Sequence, residues 1–317
     1  EKVFIISSYL GTINEVLLQF KINNILKLNF SDISINKLKV NHELRHFNFP
    51  KSKDKFLTLL RTLVLKHLPI SFLEGYPQII RDVKKYDWPN KPKIIFTSNS
   101  HFSSDEFKIW AAEKRENKTK LIVGQHGSGY QISDYHSVYD LDVKLCDKLI
   151  YWGNKKFKDK KVKSGFNLRV TKKYKAKDKK NIVIVQTFPY KYQIRLVSND
   201  YNLSNIDNSI KEQKKFLNSL DLENRKLVKI RLFSSNNDFP DLHEYEQKKW
   251  ADLRLKFKFE DRSVSIKKSI ENAKLVIVNA IHTTTFFECL TSNIPCFILA
   301  DFKVETFHQE SKKDFEE

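Results

Sequence analysis

Short apolar runs rich in Val, Ile and Leu alternate along the chain with stretches whose apolar residues recur at helical spacing. That alternation predicts α/β layers built on a parallel sheet. In the first half, the runs at 3–7 (VFIIS), 93–98 (KIIFTS), 120–124 (KLIVG) and 148–152 (KLIYW) predict buried strands. Helices are predicted between them. The first, over 53–67, places Phe56, Leu59, Leu60, Leu63 and Val64 on one face, and a less regular one follows over 72–88. A third, over 104–116, opens with Ser103 three residues before Glu106, the spacing of a capping box, and buries Phe107, Trp110 and Ala111.

The same grammar restarts in the second half, with strands predicted over 181–186, 227–233, 274–279 and 295–300. Helical patterns at 206–220, 245–255, 263–273 and 284–290 separate them. The expected organisation is an α/β domain over 1–160, a Lys-rich linker over 161–180 and a second α/β domain over 181–317. Two such domains imply a cleft, with ligands at the carboxyl ends of strands. No closing helix follows Asp314-Phe315-Glu316-Glu317, so the second domain is expected to continue beyond the sequence.

Composition narrows the class. At 317 residues, 40% hydrophobic and 13% aromatic, the chain is apolar enough to form cores, and its 7 Gly and 8 Pro exclude collagen-like and linker-like compositions. No apolar run approaches the length of a membrane-spanning helix and the first residues lack a signal-peptide pattern, so a cytoplasmic protein is expected. Three cysteines, Cys146, Cys289 and Cys296, are spaced neither as metal pairs nor as a disulfide framework. The formal charge of +19 is concentrated over 155–180, where 12 Lys and Arg169 face only Asp159 and Asp178. A cationic, solvated segment of this kind suits anionic lipid headgroups or nucleic acid, and a general Lys-rich bias accounts for part of it.

Three segments carry candidate chemistry. Gly124-Gln125-His126-Gly127-Ser128-Gly129-Tyr130 holds three of the seven glycines directly after a predicted strand. His126 offers a nitrogen able to exchange protons near neutral pH; a tight turn with a hydrogen-bonding histidine is the competing reading. The loop matches neither the P-loop nor the G-x-G-x-x-G pattern, which disfavours a P-loop ATPase and an ordinary NAD site. Thr97-Ser98-Asn99-Ser100-His101, with Asp105 and Glu106 beyond it, forms a polar strand end whose carboxylates are candidate bases, although capping alone explains Ser103 and Glu106. In the second half, His282-Thr283-Thr284-Thr285 joins a strand to a helix bearing Glu288. Hydroxyls at a helix N-terminus suit a phosphate, and Glu288 suits ribose hydroxyls; Thr285 and Glu288 also have capping-box spacing. Thr187, leaving another strand, and Arg231, within one, are expected to line the same side, Arg231 neutralising a phosphate unless it makes an ion pair.

The segments TSNSHFSSDEFKIWAAEK, KLIVGQHGSGY, IVQTFPY, KIRLF and NAIHTTTFFECLTSNIPCFI resemble, in this order, a family of transferases encoded in bacterial O-antigen and surface-carbohydrate clusters. The last also resembles the donor-binding element of GT-B glycosyltransferases at large. The resemblance covers 88–317, and its one departure is Gly127-Ser128-Gly129 where two adjacent glycines are expected after the histidine. It implies a GT-B-like fold, two Rossmann-like domains with parallel sheets facing a cleft, with the acceptor on the first and a nucleotide-sugar on the second. It further implies donor binding by Arg231, His282, Thr283, Thr284, Thr285, Glu288 and Thr187, and catalytic or acceptor roles for Gln125, His126, Gly127, Ser128, Gly129 and Asn99.

The implied reaction is sugar transfer from a nucleotide-activated donor to a surface-polysaccharide acceptor, O-antigen, capsule or a related glycolipid, at the inner membrane face. His126 is the expected base, with Asp105 and Glu106 in reserve. No cofactor and no metal are expected: the one D-x-D triplet, Asp140-Leu141-Asp142, precedes a predicted strand instead of following one. Transfer from a CMP-Kdo-type donor or of a CDP-polyol phosphate is the alternative on the same fold. Nucleic-acid binding through 155–180 lacks any accompanying recognition motif. A retaining path would use a carboxylate nucleophile, an inverting one only a base.

Overall fold

The computed structural model describes residues 2–29, 39–132, 137–153, 158–170, 172–175, 180–187, 203–233, 240–261, 263–281 and 283–299, with 308, 311 and 315. The chain divides into two compact units, Glu1–Gly124 with Cys146–Ile150, and Gln125–Leu145 with Tyr151–Glu317. The sequence pattern sets the boundary later, within 161–180. The difference has a packing cause: Ile132, in the loop after the 120–124 strand, is buried in a cluster with Ile281 of the second unit.

One five-stranded sheet has strands β1 (Val3–Ile6), β2 (Ile94–Thr97), β3 (Lys120–Gly124), β4 (Lys148–Trp152) and β5 (Val162–Gly165) in sequential order. Strands β1 to β4 pair in parallel. Burial of β-branched runs on both faces is what a parallel sheet covered by helices requires. Phe4 anchors an aromatic cluster, its ring 4.7 Å from Trp110 and 5.5 Å from Trp88. The helix Asp105–Glu116 supplies Phe107, Trp110 and Ala111 to the interior, as its spacing predicts. Its cap differs by one residue: Ser104, with extended backbone, accepts from Phe107 N at 3.1 Å. Ser103 instead closes the short helix Ser100–Ser103 and donates to Asn99 O.

The helix Lys55–His67 departs furthest from expectation. Phe56, Leu59, Leu60, Leu63 and Val64, the predicted core face, are exposed, and the helix has no buried residue. The half-buried positions are Leu57, Arg61 and Leu65, one helical stripe away. Its ends are fastened by polar groups: Asp54 accepts from Phe56 N and Leu57 N, and Arg45 donates to Leu65 O and Leu68 O. Arg45 is itself held by both oxygens of Glu74, at 2.5 and 2.8 Å.

The second sheet comprises β6 (Asn181–Val185), β7 (Val228–Arg231), β8 (Lys258–Phe259), β9 (Ala273–Val278) and β10 (Cys296–Ile298), in the order β10-β9-β6-β7-β8 with every pair parallel. Counted within this unit the order is 5-4-1-2-3, the Rossmann arrangement, and the winding reverses between β6 and β9. Side-chain alternation along β6 feeds two cores. Ile184 joins Val228, Ile230, Trp250 and Leu253 on one face, while Val183 and Val185 join Ile270, Val276 and Val278 on the other. Each fully buried aliphatic side chain contributes about 1.5–3 kcal/mol. The helix Thr284–Ser292 follows β9 and ends at Asn293, whose left-handed backbone (φ 56°) is a conformation Asn tolerates at helix ends.

Candidate functional site

In a sheet wound this way, ligands bind where the winding reverses, beyond the carboxyl ends of the two central strands. Those ends are β6, which runs into Gln186 and Thr187, and β9, which runs into Asn279 and the Thr run. They are tied together: Asn279 Oδ1 accepts from Thr187 N at 2.6 Å, and its Nδ2 donates to Gln186 Oε1 and Thr187 O, both at 3.0 Å. Gln186 is buried, and its Nε2 has no hydrogen-bond partner among the described residues.

Thr283 is the N-cap residue of Thr284–Ser292, yet among the described residues no side chain caps that terminus. Its first-turn N–H groups therefore lack the usual side-chain acceptor, an arrangement that favours an anion. Thr283 and Thr285 are buried and Thr284 is half-buried. The expected Thr285–Glu288 capping box does not form; Glu288, one turn on, instead pairs with Arg169 Nε at 3.2 Å. Burial pushes the Glu288 carboxyl above the usual carboxylate range, and the Arg169 guanidinium pulls it back in part. The chain around Arg169 lies along this helix: Asn167 Nδ2 donates to Thr291 Oγ1 at 3.4 Å and Tyr174 N to Ser292 Oγ at 3.2 Å. Burial, with the Glu288 carboxylate nearby, pushes the Tyr174 phenol up to about 12. Part of the Lys-rich segment is thus structured, with β5 and buried Val162, Leu168 and Val170. His282 lies outside the described residues.

The glycine-rich loop after β3 meets the Thr run. A Cβ added at Gly127 would stand 3.9 Å from Thr284 Oγ1. Ile132, just beyond the loop, packs with Ile281, just before the Thr run, and Ser311 Oγ donates to Gln131 O. Gln125 braces the loop from within, its Nε2 donating to Gly127 O at 2.7 Å and its Oε1 accepting from Trp152 N at 2.8 Å. Gly129, at φ 93°, has a backbone conformation that side chains disfavour. Ser128 and His126 are half-buried. His126 Nδ1 is 2.9 Å from the Tyr130 hydroxyl, which donates to Asp142 Oδ2 at 2.6 Å.

Other expected residues lie elsewhere. Arg231 is interior: its Nη1 bonds Glu260 Oε2 at 2.8 Å and Ser269 Oγ at 3.2 Å, so its guanidinium neutralises a protein carboxylate. The ion-pair reading of Arg231 describes what is seen. Asp105 and Glu106 belong to the first unit and serve the start of their helix. Burial raises the Asp105 carboxyl, but Lys108, 2.8 Å away, and the Ser71 hydroxyl more than offset it, so the group is lowered and a weaker base. Glu106 is buried and accepts from Ser104 Oγ. Asn99, also in the first unit, precedes the Ser100–Ser103 helix without a side-chain cap. Asp142 of the D-x-D triplet lies within the helix Ser137–Leu145, fully buried against Tyr130. Among the described residues, no group of three or more His, Cys, Asp and Glu is arranged to hold a metal ion, and no helix is long and apolar enough to cross a membrane.

The sequence pattern assigns no role to Tyr130, Arg169, Gln186 and Asn279, and Asp142 enters only as part of the D-x-D triplet. Tyr130 follows His126 by four residues and Asn279 ends a strand, which are visible signals; Arg169 is hidden among lysines. A further strand-end feature occurs at β1. Ser7 and Tyr9 have positive φ, and buried Glu15 accepts from Ser8 Oγ at 2.5 Å, its carboxyl raised by burial and lowered in part by that bond. A cavity of about 1080 Å³ lies in the first unit against Arg45, Phe47, Phe49 and Arg61 and includes none of the expected site residues.

Comparison with known proteins gives three results. No curated protein sequence matches the chain. Among solved structures, it is similar to MurG of Acinetobacter baumannii, at 11% identity and TM-score 0.43, covering 99% of this chain and 82% of that one. It is also similar to a glycosyltransferase from Rickettsia africae ESF-5, at 13% identity and TM-score 0.43, covering 99% and 88%. A family model for the LIC12162 family transferases matches residues 1–317, and the chain therefore belongs to that family of transferases.

Proposed function

We propose that this transferase moves a sugar from a nucleotide-activated donor to an acceptor hydroxyl, on a GT-B architecture of two Rossmann-like domains. The observation that carries the reading is the meeting of two segments distant in sequence, the His126 loop and the Thr283–Thr285 run, at the winding reversal of the second sheet. A base and an anion site side by side are what glycosyl transfer needs. The acceptor loses its proton to His126 as its oxygen bonds the anomeric carbon, and the bond from that carbon to the leaving phosphate oxygen breaks with its electron pair. Charge developing on the leaving phosphate is met by the uncapped helix N-terminus, the Thr hydroxyls and Arg169, without a metal. Thr187 and the unpartnered Gln186 amide stand at the same strand ends, and Glu288 fixes Arg169. The acceptor is a surface polysaccharide or its lipid-linked precursor, O-antigen, capsule or a related glycolipid, bound mainly by the first domain. The cationic residues of 155–180 hold the protein at the anionic inner face of the membrane.

The test is calorimetry of CMP, CDP, UDP, GDP and dTDP, with and without Mg²⁺. A selective response to one nucleotide is expected, unchanged without Mg²⁺ and weakened when Thr283, Thr284 and Thr285 are replaced together by Val, Ala and Val. Silence toward all five in folded protein would reject the donor site. A response confined to cytidine nucleotides would favour the CMP-Kdo-type or CDP-polyol alternative. In turnover, His126→Ala is expected to cost about 10²-fold or more; near-normal turnover would remove His126 as the base.

A further inference from the structure

We propose that Asp142 and Tyr130 are positioning residues that fix the tautomer of His126, holding the proton on Nδ1 and the lone pair on Nε2. The inference rests on His126 being the base of the proposed transfer. Its geometry is a chain of two short contacts. The Tyr130 hydroxyl carries one proton and donates it to Asp142 Oδ2 at 2.6 Å. Toward His126 Nδ1, 2.9 Å away, the same oxygen is then left only as an acceptor, so the ring must supply the proton of that bond. A neutral imidazole with its proton on Nδ1 has its basic lone pair on Nε2, at the far side of the ring.

The two supporting residues are built into the interior. Asp142 is fully buried and Tyr130 is 1% exposed, so the hydroxyl has little freedom to turn. The Tyr139 ring packs edge-on against Tyr130 at 5.9 Å, and Tyr151 donates to the Tyr130 carbonyl at 3.2 Å. Tyr130 also meets His126 edge to face, at an interplanar angle of 84°. The arrangement has the logic of a carboxylate that orients a catalytic histidine, here with a phenol interposed. It gives the second Asp of the D-x-D triplet a role other than metal binding.

The experiment is ¹⁵N NMR of the full chain with labelled histidine, at a pH where His126 is neutral, its signals assigned by their loss in His126→Gln. The expected result is a protonated Nδ1 and an unprotonated Nε2 in the wild type, a reading that needs no other variant. Protonation on Nε2 would overturn the proposal. Tyr130→Phe removes the accepting oxygen and is expected to lose the Nδ1–H signal in favour of the Nε2–H form preferred in water; an unchanged tautomer would also overturn it. With the nucleotide-sugar selected by the calorimetric screen, Tyr130→Phe is expected to lower kcat about tenfold or more at unchanged KM. Unchanged kcat would end the positioning role. These results separate from the parent reading: normal turnover in His126→Ala removes the base whatever the tautomer, and a wrong tautomer removes the relay while the His126→Ala test still stands.

Discussion

The second unit contains two Arg–Glu pairs that look alike in sequence and differ in surroundings. Arg231 and Glu260 are both enclosed, with side chains 6% and 9% exposed. In the pair of Arg169 and Glu288 the carboxylate is 4% exposed but the guanidinium is 40% exposed. An ion pair closed on both sides satisfies itself and has nothing to offer a ligand. One with a buried anion and an open cation holds an arginine at a fixed place while leaving part of it facing water. Glu288 stands one turn from Thr284 and Thr285, so the half-exposed pair lies along the helix to whose N-terminus we assign the phosphate.

The contrast is broken most directly by Arg231→Ala. Leaving Glu260 buried without its cation is expected to cost about 3–5 kcal/mol, read as a lowered denaturant midpoint. Weakened nucleotide binding in that variant with stability intact would reverse the assignment of the two pairs. Arg169→Ala is expected to do the opposite, reducing affinity for the selected nucleotide about tenfold, the loss of one charge-assisted hydrogen bond, in a calorimetric titration.

The stability of Arg169→Ala sharpens the comparison through pH. Burial already raises Glu288, and removing the guanidinium removes the opposing influence. The folded variant then holds a proton at pH values where the unfolded chain has released it, so its stability should rise as the pH falls toward the ordinary carboxylate value of 4.5. Melting temperatures that fall over that range would contradict it. The smallest expected effect concerns Arg45 and Glu74 of the first unit. That hydrogen-bonded guanidinium holds the Glu74 carboxyl at about 2 against an ordinary 4.5, so its stabilisation is complete above 4.5 and is lost as pH falls toward 2. Glu74→Gln should flatten this part of the acid unfolding curve, and an unaltered curve would show that the pair contributes nothing.

Strands were the most legible part of the sequence because parallel strands buried on both faces read as continuous β-branched runs. The predicted strands at 120–124 and 148–152 match β3 and β4, and the others differ only at their ends. Helix existence was legible at 104–116 and 284–290, but the face that each helix turns inward was less so. Phe56, Leu59 and Leu63 have faultless apolar spacing and remain exposed, since spacing records which residues share a stripe and not what lies opposite it. The strand Val162–Gly165 was hidden by its lysines. Glycine clustering and the Thr run pointed to two loops that the fold brings near each other, Gly127 beside Thr284. Their long-range partners did not announce themselves: whether an arginine neutralises Glu260 or turns toward solvent depends on contacts between residues far apart in the chain.

The helix Lys55–His67 carries a consequence of its own for dynamics. A helix with no buried residue is only loosely tied to the aromatic cluster around Phe4, and among the described residues polar contacts fasten it: Asp54 at one end, Arg45 with Glu74 at the other, and Arg61 to Pro50 O between them. Its amides should therefore exchange with deuterium through local opening, well before global unfolding exposes those of β2 and β3. Acid that protonates Glu74 should selectively lower the protection of those amides relative to their intrinsic exchange rate at the same pH. The first unit would then come apart in two stages, an outer layer released by pH and an inner sheet released by denaturant.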